Sequence, residues 1–498
     1  VDIITSMSST NPTTTVYSQG GKTLSIPRSV HQQHREKLCK SFLEAYPDVA
    51  QDKGAVIVLK GASDSHIHDT DIDHVFRQEA NFHYLFGVKE PDFYGLIEIN
   101  TAKSVLFAPK LPDEYAIWMG TLKQQEHFKA EYLVDEVQWV DDLSKYLGNY
   151  SSAYTLHGIN ADSGRATTTQ FTKDDCKGCD QLKIDNERLF EVLNECRVIK
   201  NDVEMAIMRY VCAISSEAHN EVLRRARPGM AEYQLEAMFK YFCYFYGGCR
   251  HGGYTCICGS GPNAAVLHYG HAGAPNDRTF KDGDIMMLDM GGEYYCYDAD
   301  ISCSWPANGK FTDKQRIIYE AVRCSQQAVF DAMKPGVNWV DMHMLSERVI
   351  LEHLQKAGVV RADADIDEAV KARLGAILMP HGLGHMLGLE THDVGGYPKD
   401  GPKRRSEPGL KSLRTARTLK KGMVLTVEPG CYFIDHLMDK ALADPELKKF
   451  LNAEKFEEFR GFGGIRLEDD VAVTENGIEN FTKCPRTIEG VEKLMAEG

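Results

Sequence analysis

Four acidic residues and a group of histidines carry the chemical possibilities of this 498-residue chain. Asp289 ends the apolar run Ile285-Met-Met-Leu-Asp289, and Asp300 follows within Ala299-Asp-Ile-Ser-Cys-Ser304. Glu428 ends Val424-Leu-Thr-Val-Glu428, and Glu468 closes Gly464-Ile-Arg-Leu-Glu468. Between the two pairs lie Pro380-His381-Gly-Leu-Gly-His385 and Thr391-His392-Asp393. Taken singly, each acid reads as exposed or salt-bridged. Taken together they ask for more, because converging buried carboxylates repel and resist ionisation unless cations neutralise them. Four acids and one imidazole make a hard-to-borderline ligand set suited to Mn²⁺, Co²⁺ or Zn²⁺. Two such ions about 3.5–4 Å apart would nearly balance the acids and hold a water as hydroxide, the equipment of a dimetal hydrolase.

The elements that would position these groups repeat. Lys281-Asp-Gly-Asp-Ile-Met-Met-Leu-Asp289-Met-Gly291 matches Lys420-Lys-Gly-Met-Val-Leu-Thr-Val-Glu428-Pro-Gly430, and the Gly-bounded apolar runs read as two equivalent strands, each aiming one carboxylate. Arg227-Pro-Gly and Lys334-Pro-Gly each join two helices. The first helix is capped by Asn201 with Glu204, carries Ile207, Met208, Val211, Ile214 and Ala218 on one face, and stops at Pro228-Gly229; the second spans 231–246. Thr312 with Gln315 starts the third, which stops at Pro335-Gly336, and the fourth spans 338–356. Alternation puts Asp300, Ser302 and Ser304 on one strand face, shared by Asp298. Asp289 and Asp300, on paired strands, could face each other. The pattern predicts a pseudo-symmetric domain over residues 196–498 with a site at its centre.

Residues 16–195 read as a separate α/β domain. Strands are expected over 55–59, 95–99 and 104–107, with helices over 29–45 and 124–130. The polar stretch 167–178 and a helix over 186–196 mark the boundary. Residues 1–15 are Ser/Thr-rich and lack a basic segment leading into an apolar one, so they read as a flexible tail rather than a signal peptide. With 57 Lys+Arg against 72 Asp+Glu, the net charge of −15 disfavours nucleic acid and anionic membranes. No apolar run approaches the ~18 residues of a membrane span. The 14 cysteines are scattered and read as thiols of a reducing compartment, hence a cytoplasmic protein. The one CxxC, Cys176 to Cys179, has no second pair at zinc-site spacing and reads as a loop.

Several longer motifs add a family resemblance. Asp289-Met-Gly-Gly-Glu-Tyr-Tyr-Cys, Asp300-Ile-Ser-Cys-Ser, Pro380-His-Gly-Leu-Gly-His385, His392-Asp-Val-Gly-Gly-Tyr-Pro398, Val427-Glu-Pro-Gly430 and Gly464-Ile-Arg-Leu-Glu468 resemble those of the pita-bread dinuclear metallopeptidases. From about residue 18 onward, with His268-Tyr-Gly-His-Ala-Gly-Ala-Pro275, Trp305-Pro-Ala-Asn-Gly-Lys310 and the insertion 436–459, the chain is most similar to the eukaryotic prolidase branch, which cleaves Xaa-Pro dipeptides. The resemblance implies an α/β N-terminal domain followed by an α+β pita-bread catalytic domain, two divalent ions with manganese preferred, and a homodimer. It makes Asp289, Asp300, His385, Glu428 and Glu468 the metal ligands, with Asp300 and Glu468 bridging and Asp298 passed over. Glu428 would also take the proton of the attacking water. His381 and His392 would sit by the scissile carbonyl, His268 and Arg414 would hold the substrate's C-terminal end, and Arg466 would join the substrate-binding residues while supporting the site. Trp118 stands where prolidases offer an aromatic to the neighbouring subunit, or is a plain surface or core residue. His66-Ile-His68 with Asp69, Asp71, Asp73 and His74 reads as a solvated loop, with a loop toward a partner's site as the alternative.

The implied activity is hydrolysis of the trans imide bond of Xaa-Pro dipeptides by a hydroxide held between the two cations. An Xaa-Pro aminopeptidase acting on longer peptides is the same-fold alternative. A non-catalytic binding protein on a degenerate domain of this kind would have lost ligands, and all five are present here.

Overall fold

The computed structural model describes residues 15–498, so the expected tail lies outside the described residues except for its last position. The chain divides into two compact units, one ending at Val198 and the other beginning at Ile199.

The first unit is built on a six-stranded mixed sheet in the order Glu136–Trp139, Ser104–Ala108, Tyr94–Glu98, Ala55–Lys60, Ser152–Thr155, Lys183–Asp185. Its central strands are continuous apolar runs because both faces are covered. One face packs Val56, Val58, Leu96, Val105 and Phe107 into a shared core. The expected helix over 29–45 forms as Ser29–Ala45 and buries Val30, Leu38 and Phe42. The 66–74 stretch is exposed, with His66 paired to Asp73 at 2.6 Å. Trp118 is 81% exposed within the short helix Ala116–Met119, beside the equally bare Ile117 and Met119. One expectation is corrected here. Cys176 and Cys179 are joined as a disulfide, and the other twelve cysteines are free. A turn in which Cys179 N–H donates to the Cys176 carbonyl brings the pair together. No helix among the described residues is long and apolar enough to cross a membrane.

The second unit shows the repeat. Asp202–Arg225 packs on Glu232–Gly247, and Asp313–Ala332 packs on Trp339–Lys356. Asn201 and Thr312 cap their helices through the expected reciprocal bonds with Glu204 and Gln315. The turn glycines Gly229 and Gly336 have φ of 96° and 90°, a region that favours glycine. Each then donates its N–H at 2.9 Å to the residue before a strand turn, Gly229 to Phe280 and Gly336 to Leu419.

In the first half the outer strands Ile285–Asp289 and Ser302–Pro306 pair, and enclose an inner hairpin of Gly292–Tyr294 and Tyr297–Asp298. In the second half Val424–Val427 and Asp469–Val473 pair around Gly430–Tyr432 and Gly464–Arg466. The insertion over 436–459 folds as three short helices inside this second hairpin, Asp435–Ala443, Pro445–Lys448 and Ala453–Glu457.

Candidate active site

The four acids occupy matching places in the two halves. Asp289 is the last residue of its outer strand, and Glu428 follows its own strand directly. Asp300 and Glu468 lie in the short returns just before Ser302–Pro306 and Asp469–Val473. Asp300 therefore stands off the paired strand and not on it, since Asp289 pairs with Ser302. Gly291 permits this return: a Cβ there would sit 1.7 Å from the Ala299 carbonyl oxygen. The halves meet at a bridge between Ser302 and Glu468, where Ser302 Oγ donates to Glu468 Oε2 at 2.6 Å and Glu468 N–H donates to the Ser302 carbonyl at 3.1 Å.

His385 faces this cluster. Its Nε2 lies 3.3 Å from Asp300 Oδ2 and 3.5 Å from Glu428 Oε1. One ligand atom each from Asp300, His385 and Glu468 falls within 4.8 Å of the others, all three residues being buried. The other ring nitrogen, Nδ1, donates to the Met386 carbonyl at 3.0 Å, which fixes the tautomer and aims Nε2 at the acids. Gly384 lets the motif lie close to the strand of Glu428, because a Cβ there would be 2.0 Å from the Thr426 carbonyl oxygen.

The electrostatics are those of crowded, buried carboxylates. Burial, with the charge of Asp300, pushes Asp289 up to about 6 and Glu428 up to about 7. Burial and the three neighbouring acids push Glu468 well above the carboxylate range. Although burial opposes it, the hydrogen bond from His385 holds Asp300 low, and Asp300 and Glu428 in turn raise His385 to about 9. A donor set that retains protons because its charges crowd one another fits divalent cations, which displace those protons on binding.

Around this core, Arg466 is buried and each of its three nitrogens is taken: Nε by Ser302 Oγ at 2.8 Å, Nη1 by Tyr432 OH at 2.9 Å, and Nη2 by Asp289. These bonds tie Arg466 to Ser302, Tyr432 and Asp289. His381 Nδ1 donates to the Gly382 carbonyl at 2.7 Å, and its Nε2 accepts from Tyr432 OH at 3.0 Å. Burial and the Arg466 charge depress His381 to about 3, so it is neutral. The ring of His392 stands edge-on to that of His385, centroids 4.5 Å apart, and desolvation with the charge of His385 holds it below its ordinary value. His268 is exposed, and partial burial with the Arg466 and Arg414 charges depresses it. Arg414 is half-buried. Asp298 is buried but points elsewhere, accepting from Thr391 Oγ1 at 2.9 Å.

Three contributors escaped the sequence reading. Tyr254 donates to Asp289 Oδ1, Tyr432 links His381 to Arg466, and Thr426 Oγ1 donates to Glu428 Oε1 at 3.3 Å. Alternation from Glu428 points to Thr426, two residues earlier on the same strand face. Tyr254, a single aromatic in a loop, leaves no such signal.

Two family models match the chain: aminopeptidase P, N-terminal domain, over residues 31–157, and metallopeptidase family M24 over residues 206–475. A human protein named Xaa-Pro dipeptidase is 51% identical over 96% of this chain and 95% of its own length. A protein of Sordaria macrospora named probable Xaa-Pro aminopeptidase is 34% identical over 89% of this chain and 91% of its own length. Among solved structures, the aminopeptidase PepP of Pseudomonas aeruginosa superposes with a TM-score of 0.76 at 30% identity, covering 95% of this chain and 98% of that one. With both units matched and the acids and His385 gathered at one centre, the chain belongs to metallopeptidase family M24, the pita-bread fold.

Proposed function

We propose that this protein is an Xaa-Pro dipeptidase that hydrolyses the trans imide bond and releases proline. What supports the reading is the grouping of Asp300, His385 and Glu468 within ligand distance of one another, with Asp289 and Glu428 in electrostatic reach, in a chain half identical to a relative named for that activity. These five residues would hold two divalent cations, with manganese the preferred ion. Ions bound there acidify water and polarise a carbonyl. Glu428, whose burial raises its proton affinity, accepts the proton of the attacking water. His381 and His392, both held neutral, sit beside the scissile carbonyl and support the oxygen and the leaving nitrogen. Arg414 meets the proline carboxylate with its two-pronged guanidinium, aided by His268.

An Xaa-Pro bond has no N–H to offer, so recognition rests on the ring and the two chain ends. Capture of both ends confines the substrate to a dipeptide. Gly-Pro is expected to be cleaved and Gly-Pro-Gly-Gly left intact; turnover of the tetrapeptide alone, followed by chromatography, would transfer the assignment to an aminopeptidase. The cis fraction of Gly-Pro is expected to disappear in a slow phase paced by isomerisation over tens to hundreds of seconds. A single fast phase from a cis-rich pool would remove the trans requirement.

Twelve free cysteines against one disulfide, Cys176–Cys179, support a cytoplasmic setting. The bare Ile117, Trp118 and Met119 support a homodimer in which this apolar segment is covered.

A further inference from the structure

One buried ion pair in the second unit has no part in the chemistry above. Lys200 Nζ lies 3.1 Å from Asp393 Oδ2, and both side chains are 1% exposed. Burying two charges costs several kcal/mol per ion, and apolar residues of similar volume commonly hold a fold as well or better. What the pair supplies instead is a fixed position.

Lys200 is itself anchored. Its N–H donates at 2.9 Å to the carbonyl of Gly422, in the turn that opens the strand Val424–Val427. Asp393 closes a loop that leaves this same strand region: Leu387 N–H donates to Val424 O at 3.1 Å, and Asp393 N–H donates to Met386 O at 2.9 Å. That Met386 oxygen is the one that orients the His385 ring. Gly388 lies directly against the pair, since a Cβ there would be 2.4 Å from Asp393 Oδ2 and 2.9 Å from Lys200 Cε. On the other flank, Thr391 Oγ1 reaches the buried Asp298 at 2.9 Å, while Asp298 N–H donates to Gly388 O at 2.8 Å.

Between these two anchors stands His392, an exposed residue whose ring meets His385 edge-on. We propose that the buried Lys200–Asp393 pair, with Thr391 on Asp298 as its counterpart, is a positioning device that holds His392 at the substrate. The inference rests on the role given to His392 above. Lys200 and Asp393 touch no reacting atom and act through their neighbour.

The test is a double-mutant cycle on the full-length, manganese-loaded protein with Gly-Pro as substrate. Asp393→Asn keeps the shape and removes the charge. It is expected to lower kcat about 10–100-fold, the usual size for lost support of a catalytic group, with KM within about twofold. In a His392→Ala background the same change is expected to cost less than about twofold, because residues that act as a unit are non-additive. Equal fold-losses in the two backgrounds would overturn the positioning role while leaving His392 its function. Wild-type turnover by His392→Ala alone would instead remove the role of His392 itself. Should Asp393→Asn not fold, Lys200→Arg keeps the charge but not the point contact, and is read in the same cycle.

Discussion

Asp300→Asn is expected to lower kcat on Gly-Pro by at least ~10³-fold, about 4 kcal/mol of transition-state stabilisation, and to leave less than the full complement of metal on the protein. Asp300 is the electrostatic hub of the cluster, its charge raising the proton affinity of Asp289, Glu428 and Glu468 alike. Its carboxylate is the closest to His385 Nε2, at 3.3 Å. The amide keeps the volume but loses the charge and half of the acceptor capacity that a cation would use. Turnover with added manganese and elemental analysis of the purified variant check both parts. Full activity with two bound ions would show that the ligand set is drawn wrongly.

Stripping the metals is expected to make stability fall as pH rises from about 6.5 to 9. Glu428, raised from 4.5 to about 7, Glu468, raised well above the carboxylate range, and His385, raised from 6.5 to about 9, all bind protons more tightly folded than unfolded. His385 carries most of the change between pH 6.5 and 9. Such groups stabilise the fold while protonated and lose that contribution as pH climbs through their folded values. Below pH 6.5 the trend is opposed by His381 and His392, which are depressed, stay neutral when folded, and cost stability once the unfolded imidazoles take up protons. The net decline therefore lies on the alkaline side. Each unit of pKa difference is worth ~1.4 kcal/mol, so the chelated protein should lose several kcal/mol and several degrees of melting temperature over this window. Manganese should abolish the decline, since bound ions replace the protons and stabilise the folded state by mass action. An apo melting temperature that is flat or rises from pH 6.5 to 9 would argue against a crowded acidic centre.

How far the residues alone announced this site depended on periodicity. The strand acids Asp289 and Glu428 were legible because each closes an apolar run framed by glycines at fixed offsets, and the helix starts because Asn201 and Thr312 carry their partners three residues on. The repeat was legible because its turns need glycine at positive φ, so the same letters recur at Gly229 and Gly336. Asp300 and Glu468 were recognised, but their exact placement was not, since they sit in returns where alternation no longer applies. Nothing in a linear chain reveals that Ser302, Tyr432 and Asp289 each take a nitrogen of Arg466. Tyr254 was invisible for the same reason, and the Cys176–Cys179 bond depends on a local turn that the spacing permits but does not dictate.

The handshake of Ser302 with Glu468 has a consequence for ancestry. Each half donates two acids, and neither assembles the four-acid centre by itself. A polypeptide corresponding to one half of the second unit could bring four acids together only by pressing against a twin, so this unit holds within a single molecule what would otherwise require two.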